Sequence, residues 1–162
     1  MEHRALAGRG GGVKQRMIPV VLLPLCAAGF VAFWCVILHM LSAMAGWRTL
    51  ADLYPAPHAP REPRSFVGIA SVGAVRYKGD LLAAVTQDGL YLSAHTLFRP
   101  GHAPLLISWT AMQSLPAENI LWATEYRFAI RSGDKTTALS LQDAALVGAI
   151  TARIAPGGNL SM

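Results

Sequence analysis

The chain has 162 residues, of which 53% are hydrophobic and only 14% charged, and its mean hydropathy is +0.38. In an average soluble domain, roughly a quarter of the residues are charged. The apolar content therefore excludes a disordered chain, and the length excludes a large multidomain enzyme. The net charge of +5 does not indicate a nucleic-acid partner, because ten basic and eight acidic side chains follow residue 41 and leave only +2 there. One membrane segment followed by one small domain fits these values.

Residues 17–41 form an uninterrupted apolar segment of 25 residues without Asp, Glu, Lys or Arg. A helix rises about 1.5 Å per residue, so this segment spans a hydrocarbon core of roughly 30 Å. The alternative is a cleaved signal peptide, since Ala43-Met44-Ala45 before Gly46 has the form of a cleavage site. Apolar regions of signal peptides are usually about 7–15 residues long. We therefore expect an uncleaved transmembrane helix at 17–41, preceded by a basic flexible tail at 1–16.

The orientation of this helix follows from the charges beside it. The first 20 residues after Leu41 contain only Arg48 and Arg61 as basic residues, with Asp52 between them. The tail is richer in positive charge and contains Arg4, Arg9, Lys14 and Arg16 against Glu2. Because positive flanks stay in the cytoplasm, we expect a cytoplasmic N-terminus and a domain on the far side of the membrane.

Residues 42–65 predict an interfacial helix followed by a linker. The residues at i, i+3, i+4 and i+7 from Trp47 form an amphipathic stripe that ends at Tyr54. Aromatic side chains gather where lipid meets water, so Trp34, Trp47 and Tyr54 are predicted to lie at the membrane interface. Four prolines then fall within residues 55–63, which indicates a stiff extended spacer between anchor and domain.

Residues 66–162 predict short antiparallel strands followed by one helix. The first strand is expected at 66–77, with a turn at Lys78-Gly79-Asp80, and Asp88-Gly89 is a strong hairpin signal. The later strands are expected at 81–86, 90–94, 105–109, 118–124, 126–131 and 136–141. Ser140 and Asp143 have the spacing of a capping box before the amphipathic segment 144–154. This order predicts an α+β fold in which the helix closes a curled sheet.

The segment from Gly89 to Met112, GLYLSAHTLFRPGHAPLLISWTAM, resembles one found in small bacterial membrane-anchored proteins. WRTLADLYPAP, which begins at Trp47, fits the same family. The order of strands and helix is similar to the pleckstrin-homology (PH) superfold in its bacterial PH-like or GRAM-like form. The resemblance implies an antiparallel β-sandwich or barrel closed by a C-terminal helix. It also implies a bacterial protein of no established activity. Together with the orientation predicted from charge, this places the anchor in the inner membrane and the domain in the periplasm.

The residues offer little catalytic chemistry. His95 and His102 have no acidic or cysteine neighbour in zinc-ligand spacing, and no nucleophile motif surrounds Ser93. We therefore expect no catalytic residue, metal or cofactor. Basic side chains near two loops form the candidate ligand or lipid-binding set, which comprises Arg76, Lys78, Arg99 and His102.

Three functions from different classes remain open. The leading hypothesis is a non-enzymatic, single-pass membrane protein whose PH-like domain binds a protein partner in the membrane, as an accessory or assembly subunit. The alternative is recognition of anionic lipid headgroups by the basic set. An enzyme or metal carrier that uses His95 and His102 is the third possibility.

Overall fold

The computed structural model describes residues 11–120 and 123–154, with side chains described from residue 20 onward. The chain divides into two units, Met1–Ile37 and Leu38–Met162. The first helix, α1, covers Gly11–Met44. Residues 11–16 therefore belong to a helix and not to the expected tail, whose first ten residues lie outside the described part.

The apolar part of α1 is long enough to cross a membrane. The stretch Val20–Met44 contains 25 residues and passes the length and composition test for a spanning helix. Its large apolar side chains, such as Leu23 and Phe30, are exposed. A signal sequence near the N-terminus has the same length and composition, so the structure confirms an N-terminal apolar helix.

The second unit contains an antiparallel sheet that curls into a nearly closed barrel, together with a C-terminal helix, so the α+β class is confirmed. Within the described residues the sheet order is β4-β3-β2-β1-β8-β7-β5, and β6 pairs with β7. The strands are β1 Ser65–Val72, β2 Val75–Val85, β3 Gly89–Ala94, β4 Leu105–Ser108, β5 Met112–Ser114, β6 Glu118–Ile120, β7 Ala123–Ser132 and β8 Lys135–Leu141.

The first hairpin turns earlier than the sequence predicted. Its turn contains Gly73, which has a φ of 55°, and β2 then runs without a break through Lys78-Gly79-Asp80. Gly79 also has a positive φ, but it lies at a bulge where the register with β1 shifts. Two glycines with left-handed backbone are therefore present, and local sequence does not tell which one reverses the chain.

Of two other hairpins, one was predicted correctly and one was not. The Asp88-Gly89 hairpin is confirmed, since Thr86 pairs with Gly89 through both backbone and side-chain hydrogen bonds. The strand expected at 118–124 is instead a hairpin, in which β6 ends at Ile120 and β7 begins at Ala123.

Two short helices contribute to the core of the barrel. Helix α2, Trp47–Leu53, buries Trp47 and Leu50 completely. Helix α3, Ala144–Ile154, buries the stripe of Leu146, Val147 and Ile150. Asp143 caps α3 by accepting the backbone N–H groups of residues 145 and 146, both at 3.0 Å. The expected capping box is wrong, because Ser140 lies in β8 and donates its hydroxyl hydrogen bond to Glu125.

The proline-rich segment is not a free spacer. Its beginning lies along the outer edge of β4, where the Leu106 N–H donates to the Tyr54 carbonyl at 2.9 Å. The Ala56 N–H in turn donates to the Pro104 carbonyl at 3.1 Å, and Pro55 bridges to Leu105. These bonds tie residues 54–56 to an edge that would otherwise expose unpaired backbone groups.

Candidate functional site

The structure separates His102 by burial from the other three basic residues predicted as a ligand set. Arg76 and Lys78 are exposed on the outward side of β2, while the intervening Tyr77 is buried. Arg99 is exposed after the short 3₁₀ turn Thr96–Phe98. His102 is completely buried, so its place in a basic surface patch is wrong.

His102 belongs to a buried aromatic cluster. Its Nε2 lies 2.9 Å from the Tyr77 hydroxyl oxygen, and its ring centroid lies 5.2 Å from that of Trp47. Its Nδ1 lies 3.4 Å from the Pro100 carbonyl oxygen. A neutral imidazole satisfies both contacts, with Nδ1–H donating to the carbonyl and Nε2 accepting from the hydroxyl. The cluster therefore uses its polar groups internally.

Burial shifts both titratable groups of this cluster toward their neutral forms. Loss of solvent lowers the pKa of His102, hydrogen bonds to the backbone of residues 100 and 98 oppose this shift, and the nearby His39 lowers the pKa further. Burial raises the pKa of Tyr77 to about 12. Both groups are consequently uncharged near neutral pH, which suits a structural contact.

Two of the three aromatic residues expected at the membrane interface instead form contacts within the second unit. Trp47 is fully buried and donates its indole N–H to the Ala103 carbonyl at 2.8 Å, so its assignment to the interface is wrong. The indole belongs to the hydrophobic core cluster of the second unit. Tyr54 is half-buried and its hydroxyl donates to the Arg131 carbonyl at 2.8 Å. Trp34 lies in the apolar part of α1, and its interfacial place stays a prediction.

His95 and His102 lie in different environments. His95 is exposed, with its ring 6.1 Å from that of Phe66, while His102 is inside the barrel. In the part of the chain that the structure describes, no group of three or more His, Cys, Asp or Glu side chains could hold a metal ion. The geometry therefore offers no reason to assign a metal to these two histidines.

A polar cavity of about 180 Å³ lies against the outer face of β3, and we call it the linker cavity. One wall is the proline-rich segment, the floor is formed by β2 and β3, and the other wall is the loop that follows β3. Its lining residues are Ala56, Pro57, His58, Ala59, Arg64, Leu82, Tyr91, Ser93, Ala94, Thr96, Arg99 and Pro104.

Strand alternation places the polar floor of the linker cavity. Leu90 and Leu92 face the core, so Tyr91 and Ser93 point to the opposite side of the sheet. Tyr91 pairs with Ala84 on one side and with Leu106 on the other. Neither residue was predicted as a binding residue, although two hydroxyls at i and i+2 opposite a leucine pair were a visible signal.

No family model, curated protein or solved structure matches this chain. The resemblance to the PH-like family, and with it the bacterial origin, therefore stays a prediction.

Proposed function

We propose that this protein is a single-pass membrane protein in which α1 is an uncleaved anchor, and that its barrel domain is a non-enzymatic module that binds another membrane protein. The proposal places the protein in the bacterial inner membrane with its N-terminus in the cytoplasm. The four basic residues of the tail support this orientation, since only two follow within 20 residues of Leu41.

The burial of residues just before Gly46 carries the anchor part of the proposal. Leu38, Ser42 and Ala45 are all buried within the second unit. The Ser42 hydroxyl donates to the Gly101 carbonyl, and the Ala45 carbonyl packs against Gly73. Cleavage after Ala45 would remove three buried side chains and a hydrogen bond from the folded domain. Because the folded domain buries these residues, a retained helix keeps its packing intact, whereas cleavage would disrupt it.

Membrane fractionation tests the anchor. The full-length chain, tagged at its C-terminus, is expected to stay in the membrane after alkaline carbonate extraction and to keep peptides from residues 1–45. A C-terminal alkaline phosphatase fusion is expected to be active, because the enzyme folds only outside the cytoplasm. A mature polypeptide that begins at Gly46 in the aqueous fraction would refute the proposal.

A free sheet edge supports the protein-binding part. Strand β5 pairs with β7 on one side, and within the described residues no strand pairs with its other side. Gln113 and Ser114 on β5 are exposed. An edge of this kind accepts an added strand from a partner through backbone hydrogen bonds. The barrel is nearly closed, and the unpaired side of β5 is where a peptide segment would add.

Site-specific photo-crosslinking in native membranes tests this edge. A photoreactive residue at Gln113 is expected to give a discrete adduct with a membrane protein. The matched control is the same residue at Lys135, which is exposed in the hairpin between β7 and β8. No adduct at Gln113, or the same adducts at both positions, would refute partner binding at β5.

A further inference from the structure

We propose that the linker cavity binds a phosphate monoester. The inference stands on the cavity's own residues and is independent of any protein partner at β5.

Two nearly buried hydroxyl groups in the cavity have no partner within the protein. Tyr91 is 4% exposed and Ser93 is 7% exposed, and neither side chain forms a hydrogen bond within the described residues. No described side-chain oxygen or nitrogen is both sealed from solvent and unpaired. Both hydroxyls must therefore reach accessible space, and the cavity that they line is that space. Buried polar groups of native proteins are normally hydrogen-bonded, so a ligand or water must supply the partner.

The charge of the lining selects an anion. Arg64, Arg99 and His58 all line the cavity, and the lining contains no carboxylate. Arg99 also borders a second cavity that contains Asp52, but no ion pair joins them in the described residues. Both guanidinium groups are thus available for charge-assisted, bidentate bonds to an oxyanion.

The number of donors favours phosphate over carboxylate. Three hydroxyl groups line the cavity, from Tyr91, Ser93 and Thr96, in addition to the two arginines and His58. A carboxylate presents two acceptor oxygens, whereas a phosphate monoester presents three. The volume of about 180 Å³ equals that of about six waters at roughly 30 Å³ each, which accommodates a phosphate group and a small ester substituent.

The prolines explain why a cavity exists here. Pro57 and Pro60 have no N–H and cannot continue the pairing that Ala56 makes with the β4 side. The segment therefore leaves the sheet edge after residue 56 and passes over the outer face of β3 without forming a ladder with it. The gap that remains is lined by the hydroxyls of β3.

Isothermal titration calorimetry of the full chain in dodecyl maltoside micelles tests the proposal. Two probes carry the same phosphate monoester: glycerol 3-phosphate, which is soluble, and dihexanoyl phosphatidic acid, which is a lipid. Propionate and dihexanoyl phosphatidylglycerol are the matched carboxylate and phosphodiester controls. At least one monoester is expected to bind in a saturable manner and more tightly than both controls. Binding of glycerol 3-phosphate alone would assign a soluble ligand, and binding of phosphatidic acid alone would assign a lipid.

Substitutions locate the binding. R64Q and R99Q are each expected to weaken binding by about 10- to 100-fold, since a charge-assisted hydrogen bond is lost. Y91F is expected to weaken it about 3- to 10-fold through loss of one neutral hydrogen bond. The control R153Q removes an exposed arginine of α3 outside the cavity and should leave the affinity unchanged.

Three results would overturn the proposal. They are absence of binding by both monoesters, equal binding of the diester or carboxylate controls, and an equal effect of R153Q and R64Q. Because Arg64 and Arg99 are exposed, their variants are expected to keep the unfolding midpoint of the parent. The variants of the two arginines therefore keep the test decisive even if Y91F perturbs the floor of the cavity.

Discussion

Substitution of Trp47 by alanine tests whether this side chain lies in the barrel core or at the membrane interface. The side chain is fully buried, its indole N–H donates to the Ala103 carbonyl, and its ring lies 6.0 Å from that of Tyr77 and 5.2 Å from that of His102. A buried aromatic ring removes about 150–250 Å² from water. At about 25 cal/mol per Å² the burial alone stabilises the fold by about 4–6 kcal/mol, as an upper bound.

The free energy of unfolding of Trp47→Ala should fall by about 3–5 kcal/mol, the range measured for such truncations in cores. That loss is a large share of the roughly 5–15 kcal/mol by which domains are stable. Trp47→Phe keeps most of the ring burial and loses the indole hydrogen bond, so we expect a loss of about 1–2 kcal/mol.

Urea unfolding in detergent micelles, read by pulse proteolysis of the barrel, measures these differences. The matched control is Leu53→Ala, in the same helix, because Leu53 is 47% exposed and should lose little stability. If Trp47→Ala and Leu53→Ala destabilise the barrel equally, Trp47 is not part of its core and the reasoning fails.

Three further predictions concern the aromatic cluster and the first hairpin. Burial lowers the pKa of His102, so below the unfolded value of about 6.5 the unfolded chain takes up a proton that the folded chain does not. Unfolding midpoints in urea should therefore fall as the pH drops below about 6.5, and His102→Gln should flatten that slope; an unchanged slope would contradict the assignment. The raised pKa of Tyr77, about 12, should make stability fall as the pH rises above about 10, and Tyr77→Phe should abolish this alkaline loss in the same titration. Gly73→Ala should destabilise the barrel more than Gly79→Ala, since both have positive φ but only at Gly73 would an added Cβ lie 2.5 Å from the Ala45 carbonyl oxygen. The left-handed backbone alone accounts for about 1–2 kcal/mol in each variant; equal midpoints by thermal unfolding would argue against the Gly73–Ala45 contact.

The sequence alone predicted those features that depend on local pattern. The apolar run of α1, the Asp88-Gly89 hairpin and the stripe of α3 all appear in the structure, because composition and periodicity act over neighbouring residues. The α+β class followed from the order of these elements. Strand ends were predicted less well where two glycines competed for one turn.

Only the tertiary structure shows which surroundings cover the amphipathic and polar side chains. An amphipathic stripe has an apolar face, but its sequence does not say whether lipid or a barrel interior covers that face. Trp47 was consequently assigned to the membrane interface, although it packs against Tyr77 and His102. His102 was predicted as a surface ligand residue because it stands among basic side chains near a loop. Only the fold that surrounds it shows that the side chain is buried.

The linker cavity shows the same division most clearly. Neighbouring residues in the sequence are enough to indicate the proline-rich segment and the strand that carries the hydroxyls of Tyr91 and Ser93. Their meeting required the segment to bind the β4 edge at Tyr54–Ala56 and then to leave it. Residues 58 and 93 are 35 positions apart in the sequence, and only the packing of the folded chain brings such positions together around one volume.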